Sequence, residues 1–164
     1  MSRLMMVAVF AMMPMLAMAA DSDGRAQAER NEAAVREYFD RVWSRGEVDR
    51  LDHLLAPGYV NHTPSFGQPV PGPEGLKPIV IALRQAFPDL HYEIEDVIAT
   101  PDHVVARVRM KGTHLGALGD LPPTGRAVDV LQINIERFEN GHVVEHWRVT
   151  DELEFQKQLG VVPR

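Results

Sequence analysis

The side chains best suited to acid–base chemistry stand near the end of the chain, in the run Glu145-His146-Trp147-Arg148-Val149-Thr150-Asp151. Alternate side chains of a strand share a face, so Glu145, Trp147 and Asp151 would lie together with Val143 and Val149. Carboxylates are costly to bury without a partner, so this face suits a partly apolar pocket better than a packed core. A carboxylate held in such a pocket could serve as a general base.

The same aspartate also suits a structural role at the start of a helix. A short helix is predicted to follow the strand and to end at Gly160, and Glu154 stands three residues after Asp151, as in a capping box. Thr150 could cap that helix equally well, which would free Asp151. Spacing also leaves two roles for Glu145, which could pair with another side chain or be solvated at a strand edge. From spacing alone, Asp151 is either a base or a cap.

Three histidines have informative positions. His62 follows Asn61 just before a proline-rich segment, where it could donate to a substrate carbonyl or serve as an ordinary loop residue. His114 ends a predicted strand with its side chain toward core or pocket. His146 has the opposite parity to Trp147 and is predicted to point outward. No histidine pair has the H-x-H spacing and the chain has no H-E-x-x-H helix motif, so no metal is predicted.

The helices that would position these residues come first in the chain. Apolar side chains at helical spacing, among them Phe39 and Trp43, predict an amphipathic helix. The predicted helices cover residues 29–45, 48–55 and 74–87. Residues 21–27 are predicted to be a frayed start. Between the second and third helices, residues 63–73 hold four prolines, which predicts a loop or lid.

The second half of the chain alternates with the period of strands. The predicted strands cover residues 90–99, 104–114, 127–138 and 142–150, and Tyr59 begins a further brief strand or turn. Asn140-Gly141 is a strong hairpin signal between the last two strands. In the strand 127–138, Leu131, Ile133 and Ile135 alternate with Gln132, Asn134 and Glu136, which are expected to face outward. Arg107 and Arg109 of the strand 104–114 are also expected to face outward. Helices followed by antiparallel strands predict an α+β domain with a cavity between the two layers.

The chain has 164 residues, a formal net charge of −6 and no cysteine. Residues 1–20 fit a secretory signal peptide, with Arg3 before an apolar run and Ala17 and Ala19 at a small-x-small cleavage site. Cleavage would leave residues 21–164 as one periplasmic or secreted domain without a membrane contact, and an uncleaved membrane anchor is the alternative. Basic residues are not clustered, so nucleic acid is not an expected partner.

Several short motifs, in order, resemble those of the SnoaL-like polyketide cyclases, or ester cyclases, of the nuclear transport factor 2-like superfamily. The motifs are Tyr59-x-x-His62-x-Pro64, Gly72 to Gly75, Ala86-Phe87-Pro88-Asp89, Arg107 to His114, Pro123-Thr124-Gly125-Arg126 and Glu145-His146-Trp147 to Asp151 with Gln158-Leu159-Gly160. The resemblance implies a cone-shaped, strongly curved antiparallel sheet with about three helices around a deep pocket. It also implies self-association, usually through the outer face of the sheet.

The resemblance further implies an intramolecular aldol condensation without metal or cofactor. Asp151 matches the family's base, and His62 and His114 match its H-x-P and G-T-H histidines. The first hypothesis is therefore an enzyme acting on a small hydrophobic carbonyl compound. The expected walls and contacts of its pocket are Trp147, Phe39, Trp43, Asn61 and Glu145. The second hypothesis is a non-catalytic binding domain for a lipophilic ligand.

Overall fold

The computed structural model describes residues 8–64 and 67–163, and the surroundings of side chains from Ser22 onward. The first residues of the predicted signal peptide, including Arg3, lie outside the described residues. The helices are α1 Ala8–Glu37, α2 Leu51–Leu54, α3 Pro73–Ala86 and α4 Glu152–Leu159. The strands are β1 Leu55–Asn61, β2 His91–Ala99, β3 His103–Thr113, β4 Ala127–Glu139 and β5 His142–Thr150.

The first helix is longer than its apolar pattern predicts. Residues 21–27, which were expected to be frayed, continue α1. The last three of them are good helix formers, whereas the first four are weak ones. At its end, α1 widens into a π-helical turn, Tyr38–Ser44. Four side chains of this turn are buried: Tyr38, Phe39, Val42 and Trp43. The turn thus directs three aromatic rings toward the sheet.

The predicted helix after the proline-rich segment is confirmed as α3. It begins with a proline at its first turn, where the missing N–H costs nothing. Gly72 precedes it with φ +87, and a Cβ there would lie 2.5 Å from the Pro57 carbonyl oxygen. Leu76 and Val80 form the buried face. The close approach at Gly72 fixes the path of the chain into the helix.

The five strands form a curved open sheet in the order β1-β5-β4-β3-β2. All neighbours are antiparallel except β1 and β5, which run parallel. Asn140 and Gly141 have φ values of 51 and 81, the positive values that a primed hairpin turn requires. The predicted hairpin is therefore confirmed. The four helices pack with this sheet in the α+β arrangement that the sequence predicted.

The faces of β4 are the reverse of the predicted ones. Gln132, Asn134 and Glu136 are 4%, 2% and 2% exposed, whereas Ile133 and Ile135 are 44% and 36% exposed. Polar groups point inward because they share a parity with apolar residues at both ends of the strand. Those apolar residues are Val128, Val130 and Phe138, and all three are buried. The prediction that these polar residues face outward was wrong.

A β-bulge reverses the parity of β5. Phe138 pairs with Val143, but the preceding residue Arg137 pairs with Glu145, so Val144 is an extra residue in β5. Val143 is buried, and after the bulge the inward positions are His146, Arg148 and Thr150. The expectation that Val143 shares a face with Glu145 and Trp147 was wrong, as was the outward placement of His146. A single inserted residue moves every later side chain to the other face.

None of the helices in the described part of the chain is long and apolar enough to span a membrane.

Candidate functional site

An open chamber of about 750 Å³ lies between the inner face of the sheet and the helices. Its apolar lining includes Leu83, Met110, Leu118, Leu121, Phe155 and Leu159. Thr63 and Pro64, from the start of the proline-rich segment, contribute to its edge. Its size is that of an ordinary small-molecule site.

A second, much smaller cavity lies deeper against the sheet, and we call it the inner cavity. Its volume is about 20 Å³. It is lined by Tyr38, Phe39, Trp43, Asn61, Leu76, Ile79, Tyr92, Gln132, Asn134, His146 and Arg148. Tyr92, Gln132 and Arg148 line both spaces. These three residues therefore form the boundary between an apolar chamber and a polar recess.

Glu136 and His146 form a buried pair beside the inner cavity. They are cross-strand partners on β4 and β5, and His146 Nδ1 lies 2.8 Å from Glu136 Oε1. Their side chains are only 3% and 4% exposed, respectively. Asn61, the last residue of β1, pairs with His146 from the other side. A carboxylate that accepts a hydrogen bond from Nδ1–H fixes the tautomer in which Nε2 can take a proton.

Arg148 stands two residues after His146 on the same face and pairs across the sheet with Asn134. Its charge acts to lower the pKa of Tyr38, Tyr59 and Tyr92. Burial outweighs that influence: it raises the pKa of Tyr38 and Tyr59 well above the usual range and that of Tyr92 to about 12. The three phenols therefore stay protonated around a guanidinium at neutral pH.

Two buried polar atoms in the linings have no hydrogen-bond partner among the described residues. They are Asn134 Nδ2, in the inner cavity, and Thr150 Oγ1, in the chamber. An unpaired buried polar group costs about 1–3 kcal/mol. Such atoms mark places where an oxygen of a bound molecule would be stabilised.

Asp151 is an exposed helix cap. Its Oδ1 accepts a hydrogen bond of 3.0 Å from the Glu154 backbone N–H, and it directly precedes α4. It does not belong to the described lining of the chamber, although Thr150 and Glu152 do. The structure therefore places it where the capping interpretation requires, and not inside the pocket.

His62, Glu145 and Trp147 meet on the outer face of the sheet. The rings of His62 and Trp147 stack with centroids 4.7 Å apart, and His62 Nε2 lies 3.5 Å from Glu145 Oε1. Arg137 Nε donates a 2.5 Å hydrogen bond to Glu145, which lowers the pKa of that carboxyl. The bulge in β5 explains this placement. Glu145 and Trp147, which were expected to line the pocket, are not among the described lining residues of either cavity.

His114 is fully buried at the end of β3. Its Nδ1 accepts a 3.2 Å hydrogen bond from the Thr124 backbone N–H, and its ring lies 5.1 Å from that of Phe87. Because Nδ1 is an acceptor, the hydrogen sits on Nε2, which has no partner among the described groups. Burial lowers the pKa of His114. The residue does not line either cavity.

Of the side chains proposed from sequence, Phe39, Trp43 and Asn61 come together in the inner cavity. The residues that sequence reasoning assigned outward or left out are Gln132, Asn134, Glu136, His146 and Arg148. The sequence did hold a signal for Gln132, Asn134 and Glu136, because they share the parity of Val128, Val130 and Phe138 along the strand. No such pattern in the sequence predicts the bulge that turns His146 and Arg148 inward. Within the described residues, no group of three histidine, aspartate or glutamate side chains could hold a metal ion.

Comparison with known proteins gives consistent matches. Residues 33–159 match the model of the SnoaL-like polyketide cyclases. The aklanonic acid methyl ester cyclase DnrD of Streptomyces peucetius is 32% identical over 117 residues, 70% of this chain and 78% of that protein. The structure of TsrD from Streptomyces laurentii has a TM-score of 0.71 at 27% identity, covering 84% of this chain and 98% of that one.

A further solved structure, from Jannaschia sp. CCS1, is described as a SnoaL-like polyketide cyclase. It has a TM-score of 0.72 at 28% identity and covers 83% of this chain and 95% of that one. The region matched by the family model contains all five strands and every described residue of the inner cavity.

Proposed function

This chain belongs to the SnoaL-like polyketide cyclase family. From that premise we propose that it catalyses an intramolecular aldol ring closure, without loss of water, of an apolar carbonyl compound, with His146 as the general base. The observation that carries the proposal is the buried Glu136–His146 pair, 2.8 Å apart. His146 lines the inner cavity, which shares three lining residues with the apolar chamber. The chamber supplies the binding energy for an apolar substrate, and the pair supplies a base in a water-poor place.

The proposed reaction needs only proton transfers and one new carbon–carbon bond. His146 Nε2 takes a proton from the carbon next to a carbonyl, and the electron pair moves to that carbonyl's oxygen as an enolate. The enolate carbon then attacks a second carbonyl carbon in the same molecule, whose oxygen becomes an alkoxide. The imidazolium of His146 returns its proton to the alkoxide, so the base is regenerated. Glu136 stabilises the imidazolium through Nδ1–H throughout.

Asp151 remains the base that the family resemblance implies, and we treat it as the competing assignment. In the cap position its carboxylate is exposed and engaged with the Glu154 N–H. To act as a base it would have to leave that hydrogen bond and turn toward the chamber, at a cost of about 1 kcal/mol of helix stability. His146 needs no such rearrangement, so the geometry favours it.

A direct test uses the substrate class that the curated relatives are named for. Aklanonic acid methyl ester and smaller aromatic keto esters would be incubated with the purified protein and followed by chromatography with mass spectrometry. An aldol ring closure gives a product of unchanged mass and different retention. His146→Gln should abolish product, whereas Asp151→Asn should retain it. The reverse pattern would make Asp151 the base.

The alternative function, a binding domain for a lipophilic ligand, is favoured by the size and apolar lining of the chamber alone. It predicts saturable binding of these compounds with no product from the wild-type protein. Ring closure of any of them that depends on His146 would count against it.

We also propose that a second copy of this chain covers the outer face of the sheet. Ile133, Ile135 and Val149 are 44%, 36% and 73% exposed there, on neighbouring antiparallel strands. Apolar side chains grouped on one face are the usual mark of an association surface. The face can pair with itself about a two-fold axis, which is the commonest arrangement in soluble oligomers.

Export stays a proposal that rests on the sequence pattern of residues 1–20. N-terminal sequencing of the protein recovered from a bacterial periplasm would test it. Mature chains starting near Asp21 are expected, and chains that keep Arg3 would contradict cleavage.

A further inference from the structure

We propose that the inner cavity receives a single substrate oxygen as an enolate, held by Arg148 and Asn134, and that the enzyme therefore prefers 1,3-dicarbonyl compounds. The inference rests on the proposed function above and deepens it by naming the chemical group that enters the recess. Four features of the site support it: the size of the cavity, its donors, its charge and the spacing of its side chains.

The size of the inner cavity selects one small atom. Its volume of about 20 Å³ is just enough for one water-sized group, since roughly 10–15 Å³ is needed for a water molecule. A ring or methyl-branched group must stay in the chamber of about 750 Å³ outside. A carbonyl or enolate oxygen is the part of an apolar carbonyl compound that fits.

The inner cavity contains a buried donor that lacks an acceptor. Asn134 is 2% exposed, lines the cavity, and its Nδ2 has no hydrogen-bond partner among the described residues. A buried N–H without an acceptor is unfavourable. An oxygen in the cavity would satisfy it, and an apolar group would not. This atom is independent evidence that the recess accommodates an oxygen.

The charge at the cavity boundary favours an anion over a neutral carbonyl. Arg148 is the one Lys or Arg side chain in the described linings of both spaces. Glu136 is hydrogen-bonded to His146 and is absent from both linings, and Glu152 lines the chamber but not the inner cavity. The protonated phenols of Tyr38 and Tyr92 add no negative charge. Fixed donors around a developing oxyanion, with water excluded, are the usual source of transition-state stabilisation.

The spacing of the two rows of side chains suits an enolate. Asn134 and Arg148 lie directly opposite each other on β4 and β5, and Glu136 and His146 form the next inward-facing pair. Alternate residues on one strand face are about 7 Å apart. An oxygen in the inner cavity would meet the donors of one row, while the carbon that loses the proton, at the boundary with the chamber, would face the base of the other. The base and the oxygen site thus belong to adjacent rows.

Compounds with a C–H between two carbonyls should be preferred because their enolates form most readily. In such a compound one oxygen would enter the inner cavity while the second carbonyl and the apolar body occupy the chamber. Thr150 Oγ1, the other buried polar atom without a partner, lines that chamber.

The test measures the acidity of a bound ligand, and so does not depend on turnover. The probe is 1-phenylbutane-1,3-dione, whose enolate is followed by ultraviolet absorbance as the pH is raised in the presence of saturating protein. Preferential binding of the enolate should lower the apparent pKa of the bound probe by one unit or more, which is a tenfold or greater preference. The 2,2-dimethyl derivative, which cannot form this enolate, should bind at least tenfold more weakly.

Three variants identify the donors. Arg148→Gln and Asn134→Leu should each remove most of the shift, whereas Arg148→Lys should keep part of it and guards against a variant that fails to fold. Arg126→Gln is the matched control, because Arg126 is exposed and outside both linings. An unshifted probe pKa, no binding of the probe, or a shift untouched by all three variants would overturn the inference.

The outcome is separable from that of the proposed function. A shifted probe pKa without any ring closure would support the oxygen site and refute the cyclase. Ring closure that needs His146, together with an unshifted probe, would support the cyclase and refute the oxygen site.

Discussion

His146 Nδ1 lies 2.8 Å from Glu136 Oε1 across two neighbouring strands, and both side chains are almost fully buried. The pair is set within the inner face of the sheet, with Asn61 on one side and the apolar chamber beyond. An imidazole positioned in this way by a carboxylate is a base whose tautomer and orientation are fixed before substrate arrives.

His146→Gln should lower kcat for ring closure about 10²–10⁴-fold, the usual contribution of a positioned general base. Glutamine can still bond to Glu136 but cannot take the proton. Binding of an unreactive substrate analogue should change little. Rates from progress curves, with analogue affinity by calorimetry, would check this. His142→Gln, an exposed histidine at the start of the same strand, is the control, and equal activity of the two variants would refute the assignment.

Glu136→Leu should destabilise the fold by about 3 kcal/mol, because His146 is left buried without its acceptor. Replacing both residues, Glu136→Leu with His146→Leu, should cost less than the single change, since a buried pair is often replaceable by apolar groups. Both variants should be inactive. Urea unfolding would measure the free energies. A double variant less stable than the single variant would contradict this view of the pair.

Asp151→Ala should lower the free energy of unfolding by about 1 kcal/mol through loss of the helix cap, and Asp151→Asn should be nearly neutral because asparagine caps equally well. Turnover should survive both changes. Asp120→Ala, at an exposed loop position, is the stability control. Loss of turnover in a stable Asp151→Asn protein would instead establish this aspartate as the base.

The stability of the fold should fall as the pH drops below about 6.5, the ordinary pKa of histidine, in part because of His114. Burial lowers the pKa of His114 in the folded state, so the unfolded chain binds its proton at a higher pH than the folded chain does. The contribution of His114 to the free energy of unfolding is therefore complete above its pKa in the unfolded chain. It is lost as the pH falls through its pKa in the folded protein.

His114→Gln should flatten this acid-side slope in urea unfolding measured between neutral and mildly acidic pH. His91→Gln, at an exposed histidine, should leave the slope as it is in the wild-type protein. Indistinguishable slopes for the wild type and His114→Gln would exclude His114 as the cause.

The outer face of the sheet should lose its self-association when charges are introduced. Ile133→Lys and Val149→Lys place like charges on a face that would meet its own copy, so the dimer should dissociate. Sedimentation velocity would report the change. Leu115→Lys, at an exposed leucine of a loop, should leave the oligomeric state alone. A wild-type protein that sediments as a monomer would refute the proposal outright.

Most of the fold was predictable because its signals are local. The strand periods, the Asn140-Gly141 turn and the proline at the start of α3 depend on neighbouring residues. The faces of β4 were predicted in reverse because Ile133 and Ile135 look like core residues when the strand is considered alone. The signal for the true inward face was the parity that Gln132, Asn134 and Glu136 share with Val128, Val130 and Phe138, which are buried.

The site was less predictable, because residues distant in sequence build it. Spacing left Asp151 as either a base or a cap, and the family resemblance favoured the base. In the structure its side chain caps α4. His62 and Trp147 were recognised as notable, and they do meet, but on the outer face. The side chain of His114 was predicted to point toward either the core or the pocket, and it is buried in the core.

By itself, the sequence determined that this is an α+β domain, which family it belongs to, and which strand carries the decisive residues. Only the tertiary structure decided which side chains of that strand face the chamber. The reason is the extra residue Val144 in β5, a bulge that exists only against its partner β4. It turns His146 and Arg148 inward and sends Glu145 and Trp147 outward. Alternation along one strand cannot reveal a change of register that depends on two.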